Sequence, residues 1–196
     1  MNAPTRDLKA KIWARDPDDF YCEPFWCSAA LFNREAFDGP IVDPACGLGR
    51  IVHSARMADY EAYGADKVKR SEACGSVLDF LDRVDPIANV VSNPPFGIAD
   101  SFVMHALALT TGKVAMLLPA TWHFGAKRAA WLKTTPLRRI YALTPRPSMP
   151  PGAVILSGVE PGGGTKDFAW YIWLRGYDGP VEAAWINRDE QHGAVS

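Results

Sequence analysis

The chain has 196 residues, 48% of them hydrophobic and 22% charged, with a formal net charge of −1. That is enough apolar material for one sizeable core, and the simplest reading is a single domain spanning 1–196. The near-neutral balance does not by itself announce a nucleic-acid binder, and no run of about 18 apolar residues is available to span a membrane.

The N-terminal Met1-Asn2-Ala3-Pro4-Thr5-Arg6-Asp7 has no apolar core of a secretory signal, so a cytoplasmic location is expected. The four cysteines, at 22, 27, 46 and 74, lack paired Cys-x-x-Cys spacing. They read as reduced, mostly buried thiols, with no metal site.

In chain order, helix-like and strand-like segments alternate. A helix is expected at 26–34 and a strand at 40–43. A glycine-containing loop and a helix at 49–59 follow, then a strand at 61–65. A short extra strand could lie just before Asp79. A strand at 87–92, a helix at 98–110, a strand at 112–118 and a helix at 125–134 come next. The last strands fall at 138–143, 167–174 and 181–187. Such alternation predicts an α/β protein with a mostly parallel sheet and helices on both faces. Between the last strands, 144–166 is a Pro/Gly-rich stretch, long enough that a functional or disordered role is expected.

Two bends carry the chemistry. The first, Asp43-Pro44-Ala45-Cys46-Gly47-Leu48-Gly49-Arg50, joins a strand to a helix. Its glycines let a ligand approach the main chain, and the helix start behind it offers unpaired N–H groups. Asp43 would hold the loop or meet a ligand amine, and the backbone of Ala45, Cys46, Gly47 and Gly49 would pass close to the ligand. Asp66 ends the next strand, where a carboxylate can accept from both hydroxyls of a ribose; a helix N-cap is its other reading. The second bend is Asn93-Pro94-Pro95-Phe96. Two prolines cannot continue a strand, because neither offers an N–H. The turn therefore presents a side-chain amide, free carbonyls and an aromatic face. That array can accept hydrogen bonds from a planar amino group and stack on the ring that carries it.

Together the bends resemble class I S-adenosylmethionine-dependent methyltransferases, in particular the N6-adenine DNA methyltransferases of gamma motif order, and among these small phage- or prophage-encoded members. The patterns D-P-x-C-G-x-G and [DNS]-P-P-[FYW] both occur here, cofactor bend first. The resemblance runs from about Asp19 to Trp185. It implies a Rossmann-like fold, with a mostly parallel seven-stranded sheet and an antiparallel C-terminal strand. It implies S-adenosylmethionine as cofactor and a nucleic acid, DNA foremost, as partner. Asp79-Phe80-Leu81 resembles the third cofactor motif, with Asp79 accepting from the cofactor adenine and Phe80 lying against it. Tyr21-Cys22-Glu23-Pro24 resembles Y-x-T-P, which places Tyr21 and Pro24 at the methionine end, with Glu23 where a threonine is usual.

In this reading Asn93 and the Pro94 carbonyl accept the amine hydrogens, Pro95 stiffens the turn and Phe96 stacks on the target base. Trp122 and His123 are candidates to line the target pocket; a core anchor and a surface loop residue are their other readings. Residues 121–159 hold six basic side chains and no acidic one, whereas the first 120 hold 12 basic and 16 acidic. Lys127, Arg128 and Arg146 could therefore hold phosphates, or simply form a solvated face. His53 and His105 fall in helical patterns and read as structural. Trp170, Trp173 and Trp185 read as sheet core. No separate target-recognition domain is expected within these 196 residues. Methylation of an RNA base amine or of a protein glutamine stays open, as does a cofactor-binding module without turnover. The glycine loop lacks G-x-G-x-x-G, which argues against a dehydrogenase.

Overall fold

The computed structural model describes residues 16–159 and 162–189. Eight strands form one sheet: β1 (Ile41–Asp43), β2 (Ala62–Asp66), β3 (Cys74–Val77), β4 (Asn89–Ser92), β5 (Lys113–Pro119), β6 (Leu137–Thr144), β7 (Phe168–Leu174) and β8 (Glu182–Asn187). Their order is β3-β2-β1-β4-β5-β7-β6-β8. Strands β1 to β5 pair in parallel. Only β7 runs the other way, inserted between β5 and β6, and β8 lies parallel to β6. The expected Rossmann-like architecture is present, with eight strands rather than seven because the short segment before Asp79 is a paired member of the sheet.

The central strands are buried on both faces, and the two-residue period of a strand sorts their side chains. Val91, Ala115, Leu117, Trp170 and Ile172 point to one core with α1 (Phe25–Phe32) and α2 (Arg50–Met57). Val90, Val114, Met116, Leu118, Tyr171 and Trp173 point to the other, with α3 (Ala99–Leu109) and α4 (Ala126–Leu132). Each buried indole finds an acceptor: Trp170 Nε1 donates to the Cys27 carbonyl at 2.9 Å and Trp173 Nε1 to Thr135 Oγ1 at 3.1 Å. Trp185 departs from the expected aromatic core. It sits on the edge strand β8 and is 71% exposed. The Pro/Gly-rich stretch also differs from a plain loop, because it carries α5 (Gly152–Leu156), started by Pro151 and built from an Ala-Val-Ile-Leu run. No helix among the described residues is long and apolar enough to cross a membrane.

One buried charge ties the antiparallel insertion together. Glu35, just past α1, accepts from Lys113 Nζ (2.6 Å) on β5, and from Arg139 Nη1 (2.6 Å) and Tyr141 Oη (2.9 Å) on β6. Burial pushes the Glu35 carboxyl up, but the hydrogen bonds from Lys113 and Arg139 outweigh it and hold the pKa below the ordinary value. A carboxylate with a lowered folded pKa stabilises the fold above its unfolded pKa and loses that contribution as pH falls through the folded value. Glu35→Ala is expected to cost about 3–5 kcal/mol in urea unfolding at neutral pH, since it removes the carboxylate partner of partly buried Lys113 and leaves Arg139 with Glu182 alone. The deficit should shrink on acidification; a pH-independent deficit would contradict an ionic role.

Candidate active site

The parallel sheet reverses its strand order between β1 and β4, and the crevice beyond the carboxyl ends of such strands is where open α/β sheets bind ligands. Both bends emerge there, side by side. Ile41 pairs with Asn89 and Val42 with Val90, so the chain leaves the two strands at one level. A buried hydrogen bond then joins them, Ser92 Oγ donating to Asp43 Oδ1 at 2.7 Å.

The glycine bend is held from several sides. Asp43 Oδ1 also accepts from the Ala45 N–H at 3.2 Å. Asp66 Oδ2 accepts from the Gly47 N–H at 2.9 Å and its Oδ1 from the Val68 N–H at 3.0 Å. Asp66 is thus a loop pin as well as a lining residue. Gly47 and Gly49 adopt φ of +48° and +78°, the left-handed region that glycine tolerates. A Cβ at Gly49 would lie 2.2 Å from the Ala73 Cβ, and one at Gly47 2.7 Å from the Phe20 ring.

An N-terminal strap covers this bend. Asp16 Oδ1 caps the Asp18 and Phe20 N–H groups. The Cys22 N–H donates to the Pro150 carbonyl and the Gly152 N–H to the Phe20 carbonyl, which docks the strap on the start of α5. Arg70 lies over the Phe20 ring at 4.2 Å and pairs with Asp18. The strap delivers Tyr21 and Glu23 to the second bend. Asn93 Nδ2 donates to the Tyr21 carbonyl at 3.0 Å and to Glu23 Oε2 at 2.8 Å. Its Oδ1 is buried and has no partner.

Two clefts share Asp19 and Tyr21 as lining, and the Asn93 amide lines the first of them. The first is lined by Asp43, the Ala45–Gly47 backbone, Asp66, Asp79 and Asn93, among others. Phe80 also lines it, with its ring packed on Phe102 at 4.6 Å. Asp79 is exposed and caps the Leu81 N–H. The second cleft lies across Tyr21 and Phe96, floored by Phe168 and walled by Pro119, Met149 and Lys166. The Tyr21 and Phe96 rings are near-parallel (14°) with centroids 5.9 Å apart, and Phe168 stands 5.7 Å from Phe96.

The first cleft is acidic. Burial raises the Asp43 carboxyl well above its ordinary pKa, with the Glu23 and Asp66 charges adding to it. Burial also raises Glu23, against the pull of Asn93 and Arg50. Neither carboxylate has an ion-pair partner among the described residues. Burial and the nearby Asp43 charge push the Cys46 thiol far up, so the cleft presents no thiolate nucleophile.

Several expected residues stand elsewhere. Pro24 starts α1 and lines neither cleft, Pro94 is buried behind the bend, and Gly49 shapes the turn rather than facing the opening. Trp122 is a core anchor: it is 7% exposed, donates Nε1 to Asp100 Oδ1 and packs on Trp131, Tyr171 and Trp173. His123 is bound by Nδ1 to the Tyr171 hydroxyl at 2.8 Å, outside both clefts. Arg128 forks onto Asp100 and lies over Trp122. Arg146 flanks the second cleft but pairs with Asp167 at 2.7 Å, and Lys127 is exposed away from it. With Arg139 bound to Glu35 and Glu182, half of the basic segment is neutralised within the fold. Glu23, Phe20 and Phe168 were not legible as site residues. The motif spacing flags position 23, but only the fold shows what its carboxylate touches.

No protein-family model matches the chain, and no curated protein matches it in sequence. Solved structures do. A type I restriction-modification methyltransferase subunit from Streptococcus thermophilus superimposes with a TM-score of 0.58 at 13% identity, over 92% of this chain and 50% of that one. A candidate RNA methyltransferase from Pyrococcus horikoshii gives 0.56 at 13% identity, over 85% and 93%. A candidate class I S-adenosylmethionine-dependent methyltransferase from Listeria monocytogenes gives 0.53 at 16% identity, over 83% and 63%. The chain has the class I methyltransferase fold, and spans about half the length of the restriction-system subunit it resembles.

The glycine bend yields a direct test. Gly49→Ala is expected to lose at least about 1–2 kcal/mol, from the left-handed backbone alone, in urea unfolding. An unchanged midpoint would mean that the bend is not built as described.

Proposed function

We propose that this protein is an S-adenosylmethionine-dependent methyltransferase acting on an exocyclic amine, with adenine N6 in DNA as the substrate. The observation that carries this reading is the buried, unpartnered Oδ1 of Asn93, on a side chain that lines the first cleft and is bonded to Tyr21, which borders both clefts. A buried acceptor without a donor is costly unless a ligand supplies one.

The residues of the first cleft fit the cofactor. Glycines without Cβ give the close approach, and buried Glu23 and Asp43 suit a ligand that carries an ammonium and a sulfonium. Asp79 and Phe80 stand on the far side, suited to an adenine. S-adenosylmethionine supplies a methyl already activated by positive charge. The chain's task is then alignment. Asn93 Oδ1 accepts an amine hydrogen, which turns the nitrogen lone pair toward the first cleft. Tyr21, Phe96 and Phe168 supply faces for a flat heterocycle in the second. Alignment of this kind contributes on the order of 7–11 kcal/mol in ideal cases. Among the described residues, the internal pairing of Arg128, Arg139 and Arg146 leaves half of the basic side chains of 121–159 to grip a duplex while a base is extruded. Extrusion costs a few kcal/mol, so an unpaired adenine in single-stranded DNA is the favoured target.

Incubation with labelled cofactor and unmethylated oligonucleotides, followed by mass spectrometry of the nucleosides, tests this. N6-methyladenine is expected, faster from single strands than from the matching duplex. Its absence from every substrate, with cofactor bound, would overturn the reading. In the same assay Asn93→Ala should retain cofactor binding and lose transfer by about 100- to 1000-fold. A bound cation favours ionised Glu23 and Asp43, so calorimetric affinity for the cofactor should rise from mildly acid to neutral pH. A flat profile would deny those carboxylates a role in binding it.

A further inference from the structure

We infer that Glu23 is a positioning residue for methyl transfer, acting by fixing which end of the Asn93 amide faces the substrate; this rests on the reading above. An amide has two ends of nearly equal shape and opposite hydrogen-bonding character. Its orientation is decided by its neighbours. Around the end of Asn93 that faces the strap stand the Tyr21 carbonyl at 3.0 Å and Glu23 Oε2 at 2.8 Å. A carbonyl and an ionised carboxylate are acceptors only. Both demand the NH₂, so Oδ1 must take the other side, where it is buried with nothing to accept from. The reversed amide would set Oδ1 against two oxygens and offer the substrate amine a donor, which cannot hold it.

Glu23 is itself held. It is 6% exposed, and Arg50 Nη1 fixes its backbone carbonyl at 2.7 Å. The groups that act on its carboxylate are Asn93 and Arg50, which favour the ionised form, and buried Asp43 at the end of β1, which repels it. The Cys22 and Cys27 thiols beside it are driven up by burial and stay neutral. A protonated Glu23 becomes a donor. It can then bond the oxygen end of the amide, and the demand for one orientation is lost. Because burial raises this carboxyl, that loss begins at a higher pH than for an ordinary glutamate.

The test compares the wild type with Glu23→Gln, which keeps the shape and removes the charge. The Asn93 side-chain amide resonances, assigned by their disappearance in Asn93→Ser, are followed against pH. In the wild type they should titrate with a midpoint above the ordinary glutamate value. In Glu23→Gln the titration should vanish while the rest of the spectrum stays dispersed. At saturating cofactor, kcat of the variant at neutral pH should fall about 10- to 100-fold, the worth of a charge-assisted hydrogen bond, and the acid limb of the wild-type kcat profile should disappear. If the variant matches the wild type in kcat and keeps its acid limb, or if the Asn93 resonances do not respond to pH, the positioning role is wrong. If the resonances titrate but the wild type transfers no methyl group to any substrate, the methyltransferase reading fails and takes the catalytic role with it, leaving the pairing of Glu23 with Asn93 intact.

Discussion

The pairing of β1 with β4 is the constraint on which the site depends. The two bends lie about 50 residues apart in sequence, and neither can bind or orient anything alone. Parallel registration of Ile41 with Asn89 and Val42 with Val90 brings both strand ends to one level. The hydrogen bond from Ser92 to Asp43 then locks the starts of the bends together. Ser92 is fully buried and Asp43 nearly so, which makes this bond part of the core rather than a surface contact. Burial on both faces, by α1 and α2 on one side and α3 and α4 on the other, keeps the registration from slipping.

Around this junction stand two buried carboxyls without an ion-pair partner among the described residues. Glu23 and Asp43 are buried near one another and raised by that burial, whereas Glu35, equally buried, is satisfied by a lysine, an arginine and a tyrosine. The contrast separates two uses of a buried carboxylate. One ties β5 to β6 across the antiparallel strand between them. The other is left short of a cation in a cleft, an expense of stability that makes sense where a cationic ligand completes the site. The strap from Asp16 to Glu23 belongs to the second use, since it delivers both the Tyr21 carbonyl and the Glu23 carboxylate to Asn93.

Much of this is legible in the sequence. Apolar runs closed by glycine or proline marked the strands, and the two motifs marked the bends, because backbone chemistry at Gly47, Gly49 and Pro94-Pro95 is local. What sequence could not reach was partner choice. The basic residues of 121–159 look free in one dimension; in the fold Arg128 finds Asp100, Arg139 finds Glu35 and Arg146 finds Asp167. Trp122 follows β5 directly, yet its indole turns inward to Asp100 and the tryptophans of the core. Trp185 follows a strand pattern, but β8 is an edge strand with one face uncovered. Glu23 occupies a motif position, yet its role depends on a residue 70 places away.

We propose that the clamped Asn93 amide lines a cleft for a charged cofactor, next to a slot for a flat amine that shares Tyr21 with it. A crystal structure of the protein with a non-reactive cofactor analogue and a short adenine-containing strand measures it directly. The analogue is expected along Gly47 with its amino acid end at Asp43 and Glu23, and an adenine against Phe96 with its amino group donating to Asn93 Oδ1. An analogue bound elsewhere, or an Asn93 amide with its oxygen turned toward Tyr21 and Glu23, would contradict it.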